Sequence, residues 1–284
     1  MSATEPPDDA TRSGAVPPDA VLAEAALAEA VLAEAVLAEA GELMRIAADR
    51  SLKVRLTGSI AVRVHSPGQA HLLEALGRRP YRDIDLMAYS KQKREIGALF
   101  EERGYVLDPA IRLAQEWGIK RFVYEHPETH VKTDVFFDEL VMAHTVDFAG
   151  RLELDAPTIT VTDLLLTKLQ IHEFTANDLI DSIVLLAEHE VGPAGPDTID
   201  RDYIANVMRK DWGFYYTTQT NLGKIADSLG DYAALPAGTA ETVKDRAAGL
   251  RDAIERAPKT QRWKLRARAG NRVKWYEHVE DVNR

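Results

Sequence analysis

Apolar residues recur along this chain at two spacings. At i, i+3 and i+4 they make one side of a helix apolar; at every second residue they make one face of a strand apolar. The helical spacing appears at residues 42–50 through Leu43, Ile46 and Ala47, and at 91–104 through Ile96, Leu99 and Phe100, with Gly104 as a C-cap. Shorter helices are expected at 60–64 and 70–76. Strands are expected at 53–56 (KVRL), at 82–86 (RDIDL) and from 105 onward. A hairpin is expected from RFVYE (121–125) and KTDVFF (132–137) across the turn 126–130. From Asp163 the pattern becomes helical, with Thr162-Asp163 as the N-cap. Helices are expected at 164–171, 177–186, 202–210, 222–230 and 241–257, with WGFYY (212–216) as an aromatic packing element between them. The order predicts an α+β protein. A mixed β-sheet domain with flanking helices spans 42–160, and a mostly helical domain spans 161–284.

The first 41 residues read differently. Residues 2–20 are polar and Pro-rich and are expected to be disordered. A five-residue repeat of the VLAEA type follows through Ala40, built from strong helix formers. A period of five advances about 500° around a helix, so Leu22, Leu27, Leu32 and Leu37 spiral instead of forming a coiled-coil stripe. The expectation is a low-complexity helical leader, or a partner-binding helix, interrupted at Gly41.

Composition narrows the chemistry. The 284 residues include no cysteine, which removes disulfides, zinc–thiolate sites and thiol catalysis and fits a cytoplasmic protein. No signal peptide and no run of about 18 apolar residues is present, so no membrane association is expected. The net charge of -10 is uneven. Residues 1–50 hold ten acids against three bases, whereas residues 256–276 hold eight bases and no acids. In that basic tail Arg262, Lys264, Arg266, Arg268, Arg272 and Lys274 are interleaved with Trp263, Trp275 and Tyr276. Bases and aromatics together suit an RNA acceptor such as tRNA; the alternative is a solvated helix that offsets acidic surface.

Candidate chemistry centres on Asp83 and Asp85. On a strand they share one face, and two like charges so close call for a cation, Mg²⁺ or Mn²⁺, unless the strand edge is simply solvated. Thr57-Gly58-Ser59 between a strand and a helix is a turn able to bring backbone N–H groups and a hydroxyl to a phosphate. Asp134 lies on the later strand. Lys168 stands alone in an apolar helical run and either snorkels or points into a pocket; Asp178 and Asp181 follow on the next helix. His126 and His130 flank a Pro-containing turn, a poor geometry for a metal pair.

In this order the segments TGSIA, RDIDLM, KTDVFFD, DLLLTKLQ and NDLIDSIVLL resemble the nucleotidyltransferase superfamily, specifically its AbiEii/MenT-like toxin group, over roughly residues 42–190. The resemblance implies transfer of a nucleoside monophosphate from an NTP to an acceptor, with release of pyrophosphate. It implies Asp83, Asp85 and Asp134 as metal ligands, Gly58 and Ser59 at the triphosphate, Lys168 on the triphosphate and Asp181 or Asp178 nearby. It also implies a tRNA 3′ end as acceptor and a cognate antitoxin protein as partner. Lys168 paired structurally with one of those aspartates is the competing reading. The 23 residues between Ser59 and Asp83 exceed the tight spacer of compact family members. The same core serves small-molecule, aminoglycoside-type nucleotidyltransferases, and a catalytically inactive binding protein of the same fold is a further alternative.

Overall fold

The computed structural model describes residues 18–114 and 119–278. The expected disorder over 2–20 lies mostly outside them, and from Pro18 the chain is already helical. Helix α1 (Pro18–Asp49) runs for 32 residues without a break. Gly41 does not interrupt it, and a β-carbon there would meet nothing within 4 Å. The leucines of the repeat do spiral: Leu27 is exposed, and Leu32 and Leu37 are half-buried. Val36, Ala40, Leu43, Met44 and Ala47 enter the core instead, at spacings of three and four. The second half of the leader is therefore packed structure.

Five strands form a mixed sheet: β1 (Val54–Leu56), β2 (Asp83–Ala88), β3 (Val106–Leu107), β4 (Arg121–Glu125) and β5 (Lys132–Phe137), in the order β1-β2-β5-β4-β3. Only β2 and β5 are parallel to each other. A parallel pair needs a crossover. Here helix α4 (Lys93–Glu102), β3, helix α5 (Pro109–Ala114) and β4 supply it. Helix α4 buries Ile96, Leu99 and Phe100, the three residues its period selects. Phe100 stacks on Tyr124 of β4 at 4.2 Å between ring centroids. Between β1 and β2 run α2 (Gly58–His65) and α3 (Ala70–Ala75). A hairpin of β6 (Glu139–Val141) and β7 (Thr145–Asp147) follows the sheet.

The rest is helical: α6 (Val161–Leu169), α7 (Ala176–Glu188), α8 (Arg201–Met208), α9 (Trp212–Ser228), α10 (Thr239–Arg256) and α11 (Gln261–Ala269). A two-stranded parallel pair, β8 (Val191–Gly192) and β9 (Ile199–Asp200), joins α7 to α8. Two local expectations shift. Thr160, not Thr162, caps α6, because its hydroxyl accepts the Asp163 N–H. Residues 212–216 are the first turn and a half of α9, which Asp211 caps by accepting from the Phe214 N–H. Helix α10 buries Val243, Ala247, Leu250 and Ile254 against α7, α8 and α9. The architecture is α+β, and nearly all of its described buried apolar side chains form one cluster from Val36 to Ile254. Among the described residues, no helix is long and apolar enough to cross a membrane.

Candidate active site

The site is built where β2 meets β5. Strand alternation sends Ile84 and Leu86 into the core and turns Asp83 and Asp85 to the other face. The parallel register sets Asp85 directly beside Asp134. The turn from β1 into α2 closes over this point. The Thr57 N–H donates to the Asp85 carbonyl at 2.9 Å. Gly58 takes φ +64°, and a β-carbon on it would lie 2.1 Å from Asp85 Oδ2. The Asp85 carboxylate thus rests on the first residue of α2, and Ser59, half-buried, follows in the same turn. Gly58 was expected to admit a triphosphate; the group pressed against it here is the Asp85 side chain.

The electrostatics are those of crowded like charges. Burial, then Asp83 and Asp134, push Asp85 up to about 7, against the pull of Lys168 and Arg121. Burial and Asp134 likewise raise Asp83, opposed by Arg78. Asp85 therefore holds its proton more tightly than an ordinary aspartate, and a cation beside it would favour the charged form.

Asp134 is already paired. Arg121 Nε and Nη2 grip its two oxygens at 3.2 and 2.7 Å. Expected as a third metal ligand, Asp134 has both oxygens in that fork. Asp83 and Asp85 make no ion pair among the described residues, so the pair is the part of the carboxylate set open to a cation.

Lys168 and Asp181 meet in the interior. Lys168 Nζ lies 2.8 Å from Asp181 Oδ2 and 3.5 Å from Asp178 Oδ1. Arg78 Nε and Nη2 donate to the same Asp181 carboxylate at 2.8 and 3.2 Å. Burial opposes charge on both partners, and the pairing overrides it: the two aspartates raise Lys168, while Lys168 and Arg78 lower Asp181. The competing reading of Lys168, a pairing with Asp181 and Asp178, is what the side chains adopt. Asp178 also completes a capping box with Thr175 at the start of α7.

Sequence reasoning missed Arg78 and Arg121. Arg78 precedes Pro80 in the spacer leading to the aspartates and had the signal of a basic pair, Arg78-Arg79. Arg121 had none. It reaches Asp134 diagonally across the β4–β5 ladder, in which Val123 is the direct partner of Asp134.

The basic tail divides. Arg262, Lys264, Arg268, Arg272 and Lys274 are exposed on and beyond α11. Arg266 is not free: Nη1 donates to the Gly270 carbonyl and Nη2 to those of Val273 and Lys274, while the guanidinium lies 4.7 Å from the Trp212 ring centroid. The tail's aromatics pack inward. Trp275 donates its Nε1–H to Thr217 Oγ1 at 3.2 Å and meets Trp212 and Tyr216 edge-on. Tyr276 stacks on His172, and Trp263 packs against Tyr215. The surface this tail offers is charge, with Leu265 and Val273 as its exposed apolar residues.

The donor set fits a hard divalent cation. Asp83 and Asp85 are carboxylates, they stand on one face, and they repel. The Thr57 hydroxyl, in the turn that closes over Asp85, is buried with no hydrogen-bond partner. No protein-family model matches the chain, and no curated protein does. Among solved structures, the solution structure of the antibiotic-resistance factor ANT(2'')-Ia is similar at 14% identity and a TM-score of 0.31, over 77% of this chain and 93% of that one. A likeness that loose transfers neither fold nor function, and the geometry above has to stand on its own.

Proposed function

We infer that this protein is a metal-dependent nucleotidyltransferase that moves a nucleoside monophosphate from an NTP to a hydroxyl of an RNA acceptor, the tRNA 3′ end. The observation that carries the reading is the pair Asp83 and Asp85 on one strand face, with Asp85 held near neutrality beside Asp134. A site of that kind wants a cation, and a triphosphate brings one. Asp83 and Asp85 would hold Mg²⁺ or Mn²⁺, which when bound neutralises charge on the triphosphate oxygens and draws electron density from phosphorus.

The remaining work falls to the chain's own groups. In the reaction the acceptor oxygen forms a bond to the α-phosphorus and the bond to pyrophosphate breaks in line, so positioning and electrostatics dominate. Ser59 and the first backbone N–H groups of α2 would be the donors to such a phosphate group. Lys168 has three N–H donors and spends them on Asp181 and Asp178, leaving one for an incoming oxygen. Arg78 and Asp181 fix where that ammonium stands. Arg121 holds both oxygens of Asp134 and so fixes its orientation beside Asp85. The exposed bases Arg262, Lys264, Arg268, Arg272 and Lys274 supply an electrostatic track for RNA. Its toxin role, with a cognate antitoxin, rests on the family resemblance.

The test is incubation with Mg²⁺ and each α-labelled NTP, with total tRNA in one arm and aminoglycosides in the other. Label on tRNA supports the reading. Label on the small molecule alone replaces it with the aminoglycoside-type alternative, and no label in either arm favours an inactive binding protein.

A further inference from the structure

A second cluster of ligand-type side chains lies apart from the aspartates. His65 ends α2, His189 caps the C-terminal end of α7, and Asp197 precedes β9 in the left-handed conformation, φ +55°. Each offers one ligand atom, and these atoms lie within 4.8 Å of one another. Among the described residues this is the one His/Asp/Glu group so arranged.

The hydrogen bonds around it suit a metal. His65 Nε2 lies 2.8 Å from the Ile159 carbonyl, which only an N–H can satisfy, and 2.8 Å from Thr158 Oγ1. With the proton on Nε2, Nδ1 carries the lone pair, 3.7 Å from Asp197 Oδ1. A carbonyl that accepts from the far nitrogen is the usual support of a metal-binding histidine. His189 Nδ1 lies 3.2 Å from the same Asp197 oxygen and 3.2 Å from the Asp197 main-chain carbonyl, a hydrogen bond that a metal on Nδ1 would replace. Donors around a tetrahedral ion with bonds of about 2.0–2.1 Å stand about 3.3 Å apart, and the two observed separations bracket that value.

The geometry points to His65, His189 and Asp197 as a transition-metal site of the Zn²⁺ class, with its fourth position open. Two imidazoles and one carboxylate select Zn²⁺ or Co²⁺ over Mg²⁺, so this site and the hard-oxygen pair Asp83/Asp85 would not compete for one ion. His65 and Asp197 both line a cavity of about 660 Å³ with Asp155, Thr158 and Thr160, which gives the ion an entry path and room for a water ligand. The ion would tie together the far ends of α2 and α7, whose other residues include Gly58 and Asp181.

The experiment uses the full chain stripped with chelator, then titrated with Co²⁺ and, in competition, Zn²⁺. The expected result is one equivalent bound, the intense visible bands of tetrahedral Co²⁺, and their loss on adding Zn²⁺. Asp197 is exposed, so Asp197→Ala should fold normally and weaken Co²⁺ by at least about tenfold; His65→Asn should do the same. The double variant Asp83→Asn/Asp85→Asn should keep the bands. Failure of wild-type protein to bind one equivalent overturns the proposal. So does binding that survives Asp197→Ala and His65→Asn, or that disappears with the two strand aspartates.

Discussion

A β-carbon on Gly58 would sit 2.1 Å from Oδ2 of Asp85. The glycine is required twice over, by its φ of +64° and by the carboxylate that occupies the space a side chain would take. Gly58→Ala should therefore displace Asp85 and strain the turn together. The expected cost is on the order of 1–3 kcal/mol of stability, with loss of divalent-ion binding at the site. Thermal unfolding and Mg²⁺ titration of the variant check both. A variant of wild-type stability that binds Mg²⁺ normally would contradict the contact.

Asp85 also sets a stability–function conflict. Its folded-state pKa is raised to about 7 from 3.8, so ionisation penalises the folded state. The penalty is fully present above pH 7 and is relieved as pH falls from 7 toward 4, because the folded protein then binds the proton more tightly than the unfolded chain. Asp85→Asn should accordingly raise the unfolding midpoint of the metal-free protein at pH 8 by several degrees and leave it nearly unchanged at pH 4. Wild-type protein should regain the difference on adding Mg²⁺ at pH 8, while the variant shows no Mg²⁺-dependent rise. Scans at the two pH values, with and without Mg²⁺, are sufficient.

How far the sequence disclosed this depends on the kind of contact. Strand alternation placed Asp83 and Asp85 on one face and Ile84 in the core, and the helical period selected Ile96, Leu99 and Phe100, because both are local regularities. Register is not local. That Asp134 stands beside Asp85, and that Arg121 reaches it diagonally from β4, depends on how three strands align. The leader misled for another reason. Its repeat shows no stripe, yet the five residues buried from Val36 to Ala47 straddle the end of the repeat, so neither half displays the pattern alone. The tail misled because exposure is a tertiary property: Trp275 and Tyr276 are drawn onto α9 and His172, and only the bases stay outside.

Lys168, Arg78 and Asp181 form a buried set in which one carboxylate serves two cations. Removing the carboxylate strands both charges in the interior, and breaking a buried pair in this way costs about 3–5 kcal/mol. Asp181→Ala should lose that much in a urea titration. Lys168→Met leaves Asp181 still held by Arg78 and should cost clearly less. If Lys168 also meets the substrate, Lys168→Met should lower transfer far more than its stability loss explains. Equal stability losses for the two substitutions would argue against Arg78 as the second support.

Helix α1 supplies the sharpest test of where the folded protein begins. Glu29 pairs with Arg82, next to Asp83, and Glu39 pairs with Arg103 at 2.7 Å. Partly exposed pairs of this sort add little, about 0–1 kcal/mol each. The apolar residues that follow are another matter. Leu43 is 1% exposed, and Leu43→Ala should cost about 2–5 kcal/mol. A chain beginning at residue 28 should keep the fold and its thermal midpoint, since the repeat units removed carry no core residue among those described. A chain beginning at residue 48 lacks Val36, Ala40, Leu43, Met44 and Ala47, and uncovers the residues of β1 and β2 against which α1 packs. That truncation should be insoluble or unfolded by circular dichroism. If it folds and melts like the full chain, α1 is an appendage and its buried side contributes nothing to the core.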